Sequence, residues 1–202
     1  MSNLLKIIEL KMAAGPLFSF SIAAGEVLCL SGQSGTGKTL LLRAIADLDP
    51  HQGAIWFNDQ SMDSIPAPLW RKKIGLILSE SYWWSDIVSD HFFDTKAAAP
   101  FLEALKLPIE SLNWQTFRMS TGEKQRMSIA RLLANKPLAL LLDEPTANLD
   151  PDTTRRVESL ILNYGQTKKA PILWVSHDPL QIKRIGHRHI HIEDDQIQEI
   201  PL

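Results

Sequence analysis

A glycine-rich stretch is the feature that most restricts how this chain can fold. Residues 32–39 read Gly-Gln-Ser-Gly-Thr-Gly-Lys-Thr and directly follow a short apolar run at residues 27–31. Behind them, over residues 38–48, apolar side chains recur at helical spacing. A glycine-rich turn between a buried strand and a helix is the arrangement that holds phosphate groups in proteins. The segment therefore predicts a phosphate loop within an α/β sheet.

Each residue type in this loop has a chemical reason. Gly32, Gly35 and Gly37 allow backbone N–H groups to turn toward phosphate oxygens, and the helix that follows adds the positive end of its dipole. Lys38 is expected to reach the β- and γ-phosphates, and the Thr39 hydroxyl is expected to hold Mg²⁺. The residues predicted to bind ATP are Gly32, Gln33, Ser34, Gly35, Thr36, Gly37, Lys38, Thr39 and Leu40.

A pair of carboxylates follows a second apolar strand. Residues 138–142 are predicted to form that strand, which leads into Asp143 and Glu144. Open α/β sheets bind their ligands at the carboxyl ends of strands, so we expect Asp143 to hold Mg²⁺ through water and Glu144 to polarise the water that attacks ATP. Taken alone, the pattern is as typical of a strand followed by a solvated acidic turn. The phosphate loop upstream favours the catalytic interpretation.

Strand and helix patterns alternate along the chain, which predicts an α/β fold. We expect a phosphate-loop NTPase core with a mostly parallel sheet, antiparallel strands near the N-terminus and a small α-helical insertion. Pro100 and Pro108 are expected to interrupt the helices of the insertion. A length of 202 residues fits a single domain. Residues 1–78 and 136–202 would form the core with its β subdomain, and residues from about 79 to 135 the helical subdomain.

The predicted elements have the following bounds. Strands are predicted at residues 4–12, 18–22, 27–31, 53–57, 74–78, 138–142, 172–175, 188–193 and 197–200. Helices are predicted at residues 38–48, 123–135, 151–165 and 179–185.

The segment before the acidic strand carries a further motif. Residues 119–126 read Met-Ser-Thr-Gly-Glu-Lys-Gln-Arg, which resembles the L-S-G-G-Q signature of the ATP-binding cassette (ABC) family and the Gln-Arg pair that follows it. Residues 147–150, Ala-Asn-Leu-Asp, resemble the D-loop of that family, and His177 resembles its switch histidine. The order of the motifs is similar to that family over nearly the whole chain.

The resemblance implies a composite ATPase. Two such subunits would pair head to tail as a homodimer in the ATP state, with each ATP between one phosphate loop and the partner's signature. Ser120 and Gly122 would contact the γ-phosphate across the interface, and Asp150 would couple the two sites. Glu144 would act as the general base, and His177 would hold the γ-phosphate and the attacking water in position.

The resemblance also implies a partner and a location. Transport members of the family energise a separate integral membrane permease, so we expect a cytoplasmic chain attached peripherally to the cytoplasmic face of the cell membrane. No stretch reaches the ~20 apolar residues that span a bilayer. The net charge of -2 predicts no nucleic-acid partner. The alternatives are a soluble ABC protein outside transport and a slow-turnover, nucleotide-switched regulatory module.

Three departures from the family pattern bear on these expectations. Ser79 stands where a glutamine that touches Mg²⁺ and the attacking water is usual, so slow or partner-dependent hydrolysis is a hypothesis. The N-terminal segment has Phe18 and Phe20, whose alternation fits core burial better than stacking on adenine. In the signature, Thr121 replaces glycine and Glu123 replaces glutamine.

Two side-chain groups have open interpretations. Residues 82–84, Tyr-Trp-Trp, either dock a helix of the membrane subunit or pack under the insertion, and three adjacent large rings favour docking. His187, His189 and His191 alternate on a predicted strand and would face one side. That pattern is compatible with a metal site, and more simply with a half-exposed strand face, because no acidic or cysteine ligand accompanies it.

Overall fold

The computed structural model describes residues 4–194 and 196–202, and it confirms the predicted α/β fold. The strands of this part of the chain are β1 (Leu5–Lys11), β2 (Phe18–Ile22), β3 (Val27–Gly32), β4 (Gln52–Phe57), β5 (Gln60–Ser61), β6 (Ile74–Ile77), β7 (Ala139–Asp143), β8 (Ile172–Val175), β9 (Arg188–Glu193) and β10 (Gln196–Ile200). The α-helices are α1 (Lys38–Ile45), α2 (Ala67–Lys73), α3 (Thr95–Ala104), α4 (Thr121–Ala134), α5 (Pro151–Lys168) and α6 (Pro179–Ile185). Short 3-10 turns cover Met62–Ser64, Val88–His91, Ile109–Asn113 and Thr116–Arg118.

The strands form two sheets. A four-stranded sheet has the order β2-β1-β4-β5, and its pairs are antiparallel. A six-stranded sheet has the order β10-β9-β3-β8-β7-β6. In it, β3 pairs with β8 and β9 in parallel, β7 pairs with β8 in parallel, and β9 pairs with β10 antiparallel. The strand that leads into the phosphate loop therefore lies inside the sheet, between β9 and β8.

The chain divides into two compact units. Unit 1 comprises the described residues up to Leu76 together with Pro137–Glu144 and Tyr164–Leu202. Unit 2 comprises Ile77–Lys136 and Pro145–Asn163. Unit 2 thus contains residues 145–163 in addition to most of the segment predicted to form the helical subdomain. The subdomain boundaries predicted from the sequence remain a prediction.

One hydrophobic core holds unit 1 together. Side chains of β1, β3, β8 and α1 belong to a single buried cluster, so both sheets and the first helix share it. Trp70 of α2 is fully buried in this cluster, and its indole Nε1 donates to the carbonyl of Ile45 at 2.8 Å. That bond satisfies the one polar atom that the indole brings into the core.

Unit 2 is mainly helical. The buried apolar residues of α3 and α4 include Leu102, Met127, Ile129 and Leu133. No helix in the described part of the chain is long and apolar enough to cross a membrane.

Four boundaries of the predicted helices differ from the structure, at the end of α1, at both ends of α4 and at the end of α5, and caps explain two of them. The first helix ends at Ile45 because Asp47 adopts a left-handed φ of 57°, and the Asp47 and Leu48 N–H groups donate back to Ala44 and Arg43 carbonyls. These two bonds form a Schellman motif, here with aspartate instead of glycine in the left-handed position. Helix α4 begins at Thr121, two residues earlier than predicted, because Ser120 caps it.

The expectation that Pro100 interrupts a helix is wrong. Pro100 lies inside α3, which runs on to Ala104. A proline there removes one N–H and leaves the Lys96 carbonyl without its helical partner. Both residues are exposed, so water can take that place. The helix also has a firm start, since Asp94 Oδ1 accepts hydrogen bonds from the N–H groups of Lys96 and Ala97 at 2.9 and 3.1 Å.

The three histidines near the C-terminus do not form one group, because only His189 and His191 lie on the same strand. His187 precedes β9, and its Nδ1 accepts from the Val27 N–H at 3.1 Å. His189 and His191 lie on β9 and are half-buried. Burial lowers the pKa of His189, and the neighbouring His191 lowers it further. Among the described residues, no three His, Cys, Asp or Glu side chains form a group that could hold a metal ion.

The core predicts a sharp difference between two adjacent positions on α2. Trp70→Ala should lower the free energy of unfolding by about 3–5 kcal/mol, because it leaves a large cavity and an unpaired Ile45 carbonyl. Leu69→Ala is the control, because Leu69 is exposed on the same helix and should change stability by no more than about 0.5 kcal/mol. Urea unfolding of both variants measures this, and equal stabilities would contradict the proposed core.

Candidate functional site

The phosphate loop joins β3 to α1 in unit 1. Every residue of β3 is buried. Gly32, Gly35 and Gly37 have φ values of 149°, 85° and 89°, which lie in the region that favours glycine. A Cβ atom at Gly32 would also come within 2.7 Å of the Ile192 carbonyl oxygen. The backbone path of the loop therefore needs these glycines, as the sequence pattern predicts.

The first turn of α1 presents unpaired backbone N–H groups. Gly37 is the N-cap, and the first helical hydrogen bond runs from the Leu41 N–H to the Gly37 carbonyl at 2.8 Å. The N–H groups of the residues between them have no helical acceptor, which makes this end of the helix suited to an anion. Leu40 packs its side chain against the core, so it can offer a ligand only its backbone.

Lys38 places its ammonium group at the loop. Its Nζ donates to the carbonyls of Gly32 and Gln33, both at 2.8 Å, and the residue is only 7% exposed. Burial lowers the pKa of Lys38, whereas the negative charges of Glu144 and Asp143 raise it. Burial has the larger effect, so the pKa of Lys38 lies below its ordinary value, and the two carboxylates offset part of the cost of burying the charge.

A hydroxyl and a carboxylate meet beside the loop. The Thr39 Oγ1 donates to Asp143 Oδ2 at 2.7 Å. Asp143 ends β7 and is only 3% exposed. Two oxygen ligands side by side are what Mg²⁺ prefers, so the residues present fit this ion.

The next carboxylate contacts the predicted switch histidine. Glu144 Oε1 lies 3.0 Å from His177 Nε2, and both side chains are partly exposed. The backbone of Glu144 has a left-handed φ of 48°, and its N–H donates to the Val175 carbonyl at 3.2 Å. An exposed carboxylate oriented by an imidazole is an arrangement that can accept a proton from water.

The signature segment lies in unit 2 and forms the start of α4. The Ser120 Oγ accepts from the Glu123 N–H at 3.3 Å, and Glu123 Oε2 accepts from the Ser120 N–H at 2.8 Å and from its hydroxyl at 2.7 Å. These bonds form a capping box, and they lower the pKa of Glu123. Thr121 is the first residue of the helix, where threonine needs no positive φ.

Two further predicted site residues, Gly122 and Asp150, lie in unit 2 beside backbone groups of that unit. A Cβ atom at Gly122 would lie 3.5 Å from the Asn148 carbonyl oxygen, which is an ordinary contact. Asp150 precedes α5 and caps its start, because its Oδ1 accepts from the N–H groups of Asp152 and Thr153 at 3.1 and 3.0 Å. The hydrogen bonds at Thr153 and Asp152 lower the pKa of Asp150.

The structure thus brings together the predicted site residues of unit 1. Lys38, Thr39, Asp143, Glu144 and His177 lie at the loop and at the carboxyl ends of β7 and β8. Ser120, Gly122 and Asp150 belong to unit 2. Their roles toward a ligand remain predictions, as do those of the unit 1 residues.

Sequence reasoning missed a segment that borders the loop. A Cβ atom at Gly37 would lie 3.3 Å from the Ala14 carbonyl oxygen, and one at Gly15 would lie 3.1 Å from the Thr36 carbonyl oxygen. The turn before β2 therefore lies against the phosphate loop. The Gly-Pro pair at residues 15 and 16 marks a turn in the sequence, but it does not indicate what the turn touches.

Sequence reasoning also missed what holds the aromatic segment of unit 2. The Arg131 guanidinium lies 4.7 Å from the ring centre of Trp83 and 5.2 Å from that of Trp84. The His91 ring contacts both tryptophans, with ring centres 4.8 and 4.2 Å apart. Tyr82 and Trp84 are nevertheless 66% and 71% exposed. We call residues 82–84 with His91 and Arg131 the aromatic clamp.

Curated proteins with similar sequences are ATP-binding proteins of transporters. The chain is 31% identical over 175 residues to the probable iron export ATP-binding protein FetA of Escherichia coli K12, covering 81% of this chain and 78% of FetA. It is 29% identical over 208 residues to the phosphate import ATP-binding protein PstB of Aeropyrum pernix, covering 90% and 81%. It is 31% identical over 197 residues to the methionine import ATP-binding protein MetN 2 of Shouchella clausii, covering 90% and 58%.

Solved structures with a similar fold come from the same class of protein. An ATP-binding subunit of an ABC transporter superposes with a TM-score of 0.86 at 19% identity, covering 98% of this chain and 90% of that one. A bacterial Atm1-family ABC exporter with ATP bound gives a TM-score of 0.84 at 19% identity. This chain spans 39% of the exporter chain.

A family model agrees with these likenesses. The model described as ABC transporter matches residues 17–147, which include the phosphate loop, the signature segment and the acidic pair. With the relatives above, this match shows that the chain belongs to the ABC transporter family, as one of its ATP-binding ATPases.

Proposed function

We propose that this chain is the ATP-hydrolysing subunit of a transporter and energises substrate movement through a separate membrane permease. The observation that carries the proposal is the meeting of Lys38, the Thr39–Asp143 pair and the Glu144–His177 pair in unit 1. The relatives support it, because their names describe export of iron and import of phosphate or methionine.

The chemistry follows from these side chains. The N–H groups of the loop and the Lys38 ammonium bind the phosphates of ATP. Thr39 and Asp143 would hold Mg²⁺, which supplies positive charge at the β- and γ-phosphate oxygens when bound. Glu144 takes a proton from water as the water oxygen bonds to the γ-phosphorus and the bond to the β–γ bridging oxygen breaks. His177 orients the Glu144 carboxylate and the water, and ADP and phosphate leave.

The general-base role gives the first test of this proposal. Glu144→Gln should lower ATP turnover about 100-fold or more, because the amide cannot accept the proton. ATP affinity, measured by calorimetry, should stay close to that of the wild type, since the loop is unchanged. Glu110→Gln is the control, because Glu110 is exposed on a 3-10 turn of unit 2. Equal turnover of Glu144→Gln and wild type would refute the role of Glu144.

We infer that the active form contains a second ABC ATPase subunit, in the simplest case another copy of this chain. The start of α4 carries the Ser120 hydroxyl and the side-chain-free Gly122, and a helix start favours negative charge. Ser120 and Gly122 would contact the γ-phosphate of an ATP held by the partner's loop. Asp150, at the start of α5, would couple the two sites. Closure on ATP and opening after hydrolysis would drive transport.

The aromatic clamp supports attachment to a permease. Tyr82 and Trp84 leave large apolar areas exposed, and Phe93 nearby in the chain is 92% exposed. Exposed aromatic rings held in place by a cation and a histidine are suited to anchor a partner. The chain would therefore lie at the cytoplasmic face of the membrane, attached through the permease and without a nucleic-acid partner.

Removal of one ring tests the attachment. Trp84→Ala should weaken the association with permease-containing membranes about 30-fold, the effect expected for an interface residue worth about 2 kcal/mol. ATP binding should remain unchanged. Leu180→Ala is the control, because Leu180 is equally exposed but lies on α6 in unit 1. Equal amounts of the two variants on sedimented membranes would contradict docking through the clamp.

A second candidate function is a slow-turnover, nucleotide-switched regulatory module. The observation that favours it is Ser79, which is exposed just beyond β6 and has only a short hydroxyl side chain. The expected glutamine contact to the attacking water would then be missing.

Restoring the amide tests this candidate. Ser79→Gln should raise the turnover of the isolated chain about 10-fold if the amide adds ~1.4 kcal/mol of transition-state stabilisation. Ser159→Gln, at an exposed position of α5, controls for a change of residue type alone. Unchanged turnover in Ser79→Gln would show that Ser79 does not limit hydrolysis.

A further inference from the structure

A serine hydroxyl joins two imidazoles in unit 1, apart from the side chains assigned to ATP hydrolysis. The Ser31 Oγ lies 2.7 Å from His189 Nε2 and 2.7 Å from His191 Nδ1. The parallel pairing of β3 with β9 explains this, because Ser31 lies opposite His191 in the register. Two ring nitrogens from one strand therefore point at a single spot.

The shared contact with Ser31 Oγ sets an upper limit on the distance between these two nitrogens. Since both lie 2.7 Å from one oxygen, they can be no further apart than twice that distance. The ring centres are 6.3 Å apart, and the planes are inclined by 72°. A zinc ion binds imidazole nitrogen at about 2.0–2.1 Å, which places two such nitrogens roughly 3.4 Å apart in a tetrahedral site. A shared ion therefore requires the two ring nitrogens to lie at about this separation.

The surroundings give such a cation access and further oxygen ligands. Ser31 is buried, while His189 and His191 are half-buried. The hydroxyl therefore lies on the protein side of the site, and the two imidazole rings are partly accessible to solvent. On the other side, Gln198 of β10 lies opposite His191 in the antiparallel register and is exposed. Paired residues of antiparallel strands point to the same face, so the Gln198 side chain lies on the same face as the imidazoles.

The alternative is a hydrogen-bond network alone. The Ser31 hydroxyl has one proton, so it can donate to one imidazole and must accept from the other. Such a network holds the two rings together without any ion. It predicts that the pair has no particular affinity for transition metals.

We propose that His189 and His191 form a binding site for a transition-metal cation of the Zn²⁺, Ni²⁺ or Cu²⁺ class, with Ser31 as an oxygen ligand. Imidazole suits these ions, whereas Mg²⁺ prefers all-oxygen surroundings. The site is therefore chemically distinct from the Thr39–Asp143 pair. Water and the Gln198 amide complete the coordination, because among the described residues no third His, Cys, Asp or Glu joins the pair.

Calorimetric titration of the full chain without an affinity tag tests the proposal. NiCl₂ or ZnCl₂, without nucleotide, should bind the wild type at one equivalent. His189→Ala and His191→Ala should each weaken the binding about 10-fold or more, because one of two nitrogen ligands is lost. His51→Ala is the control and should bind as the wild type does, because His51 lies before β4, outside the pair.

Two further measurements keep the outcome clear. The ion should raise the melting temperature of the wild type by on the order of 5 °C at about 100-fold excess over Kd, and should not do so in the variants. If an alanine variant fails to fold, His189→Gln and His191→Gln replace it. Electron paramagnetic resonance of the Cu²⁺ form should show two nitrogen ligands. No stoichiometric binding by the wild type, or unchanged binding in the histidine variants, would overturn the proposal.

Discussion

The parallel alignment of β3, β8 and β7 is the constraint on which the candidate site depends. Leu30 pairs with Val175, and Val175 pairs with Asp143, so three strand ends lie in one row. Beyond this row, the Ser176 N–H donates to the Leu30 carbonyl and the Glu144 N–H donates to the Val175 carbonyl. The loop, the carboxylate pair and the switch histidine then continue from strand ends that backbone hydrogen bonds hold in register.

This constraint explains what could be predicted from the sequence. The loop, the acidic pair and the strand at Ile172–Val175 follow from local patterns, because an apolar run, a glycine cluster and an acidic turn are each continuous in the chain. The parallel sheet follows from the alternation of strands and helices. The family motifs then indicate which strand ends carry which side chain, and the contacts Thr39–Asp143 and Glu144–His177 agree with them.

Contacts between distant segments could not be predicted in the same way. The bond of Ser31 to His189 joins residues 158 positions apart, and it exists because β9 lies next to β3 in the sheet order. The contact of Arg131 with Trp83 and Trp84 could not be predicted either. Helical periodicity places Arg131 on a helix but does not indicate which residues its side chain contacts. Pro100 is a case in which a local rule fails. Proline usually interrupts a helix, but α3 is capped by Asp94 and the helix continues past the exposed Pro100.

The position of α4 has a mechanical consequence. Its first turn holds the signature serine through the capping box, and its last turn carries Arg131 of the aromatic clamp. At 14 residues, the helix is about 20 Å long at 1.5 Å per residue. A helix of that length with a buried apolar face resists bending, so we expect a force applied to the aromatic clamp to move α4 as a unit. One continuous helix therefore connects the residues around Arg131 with the residues around Ser120.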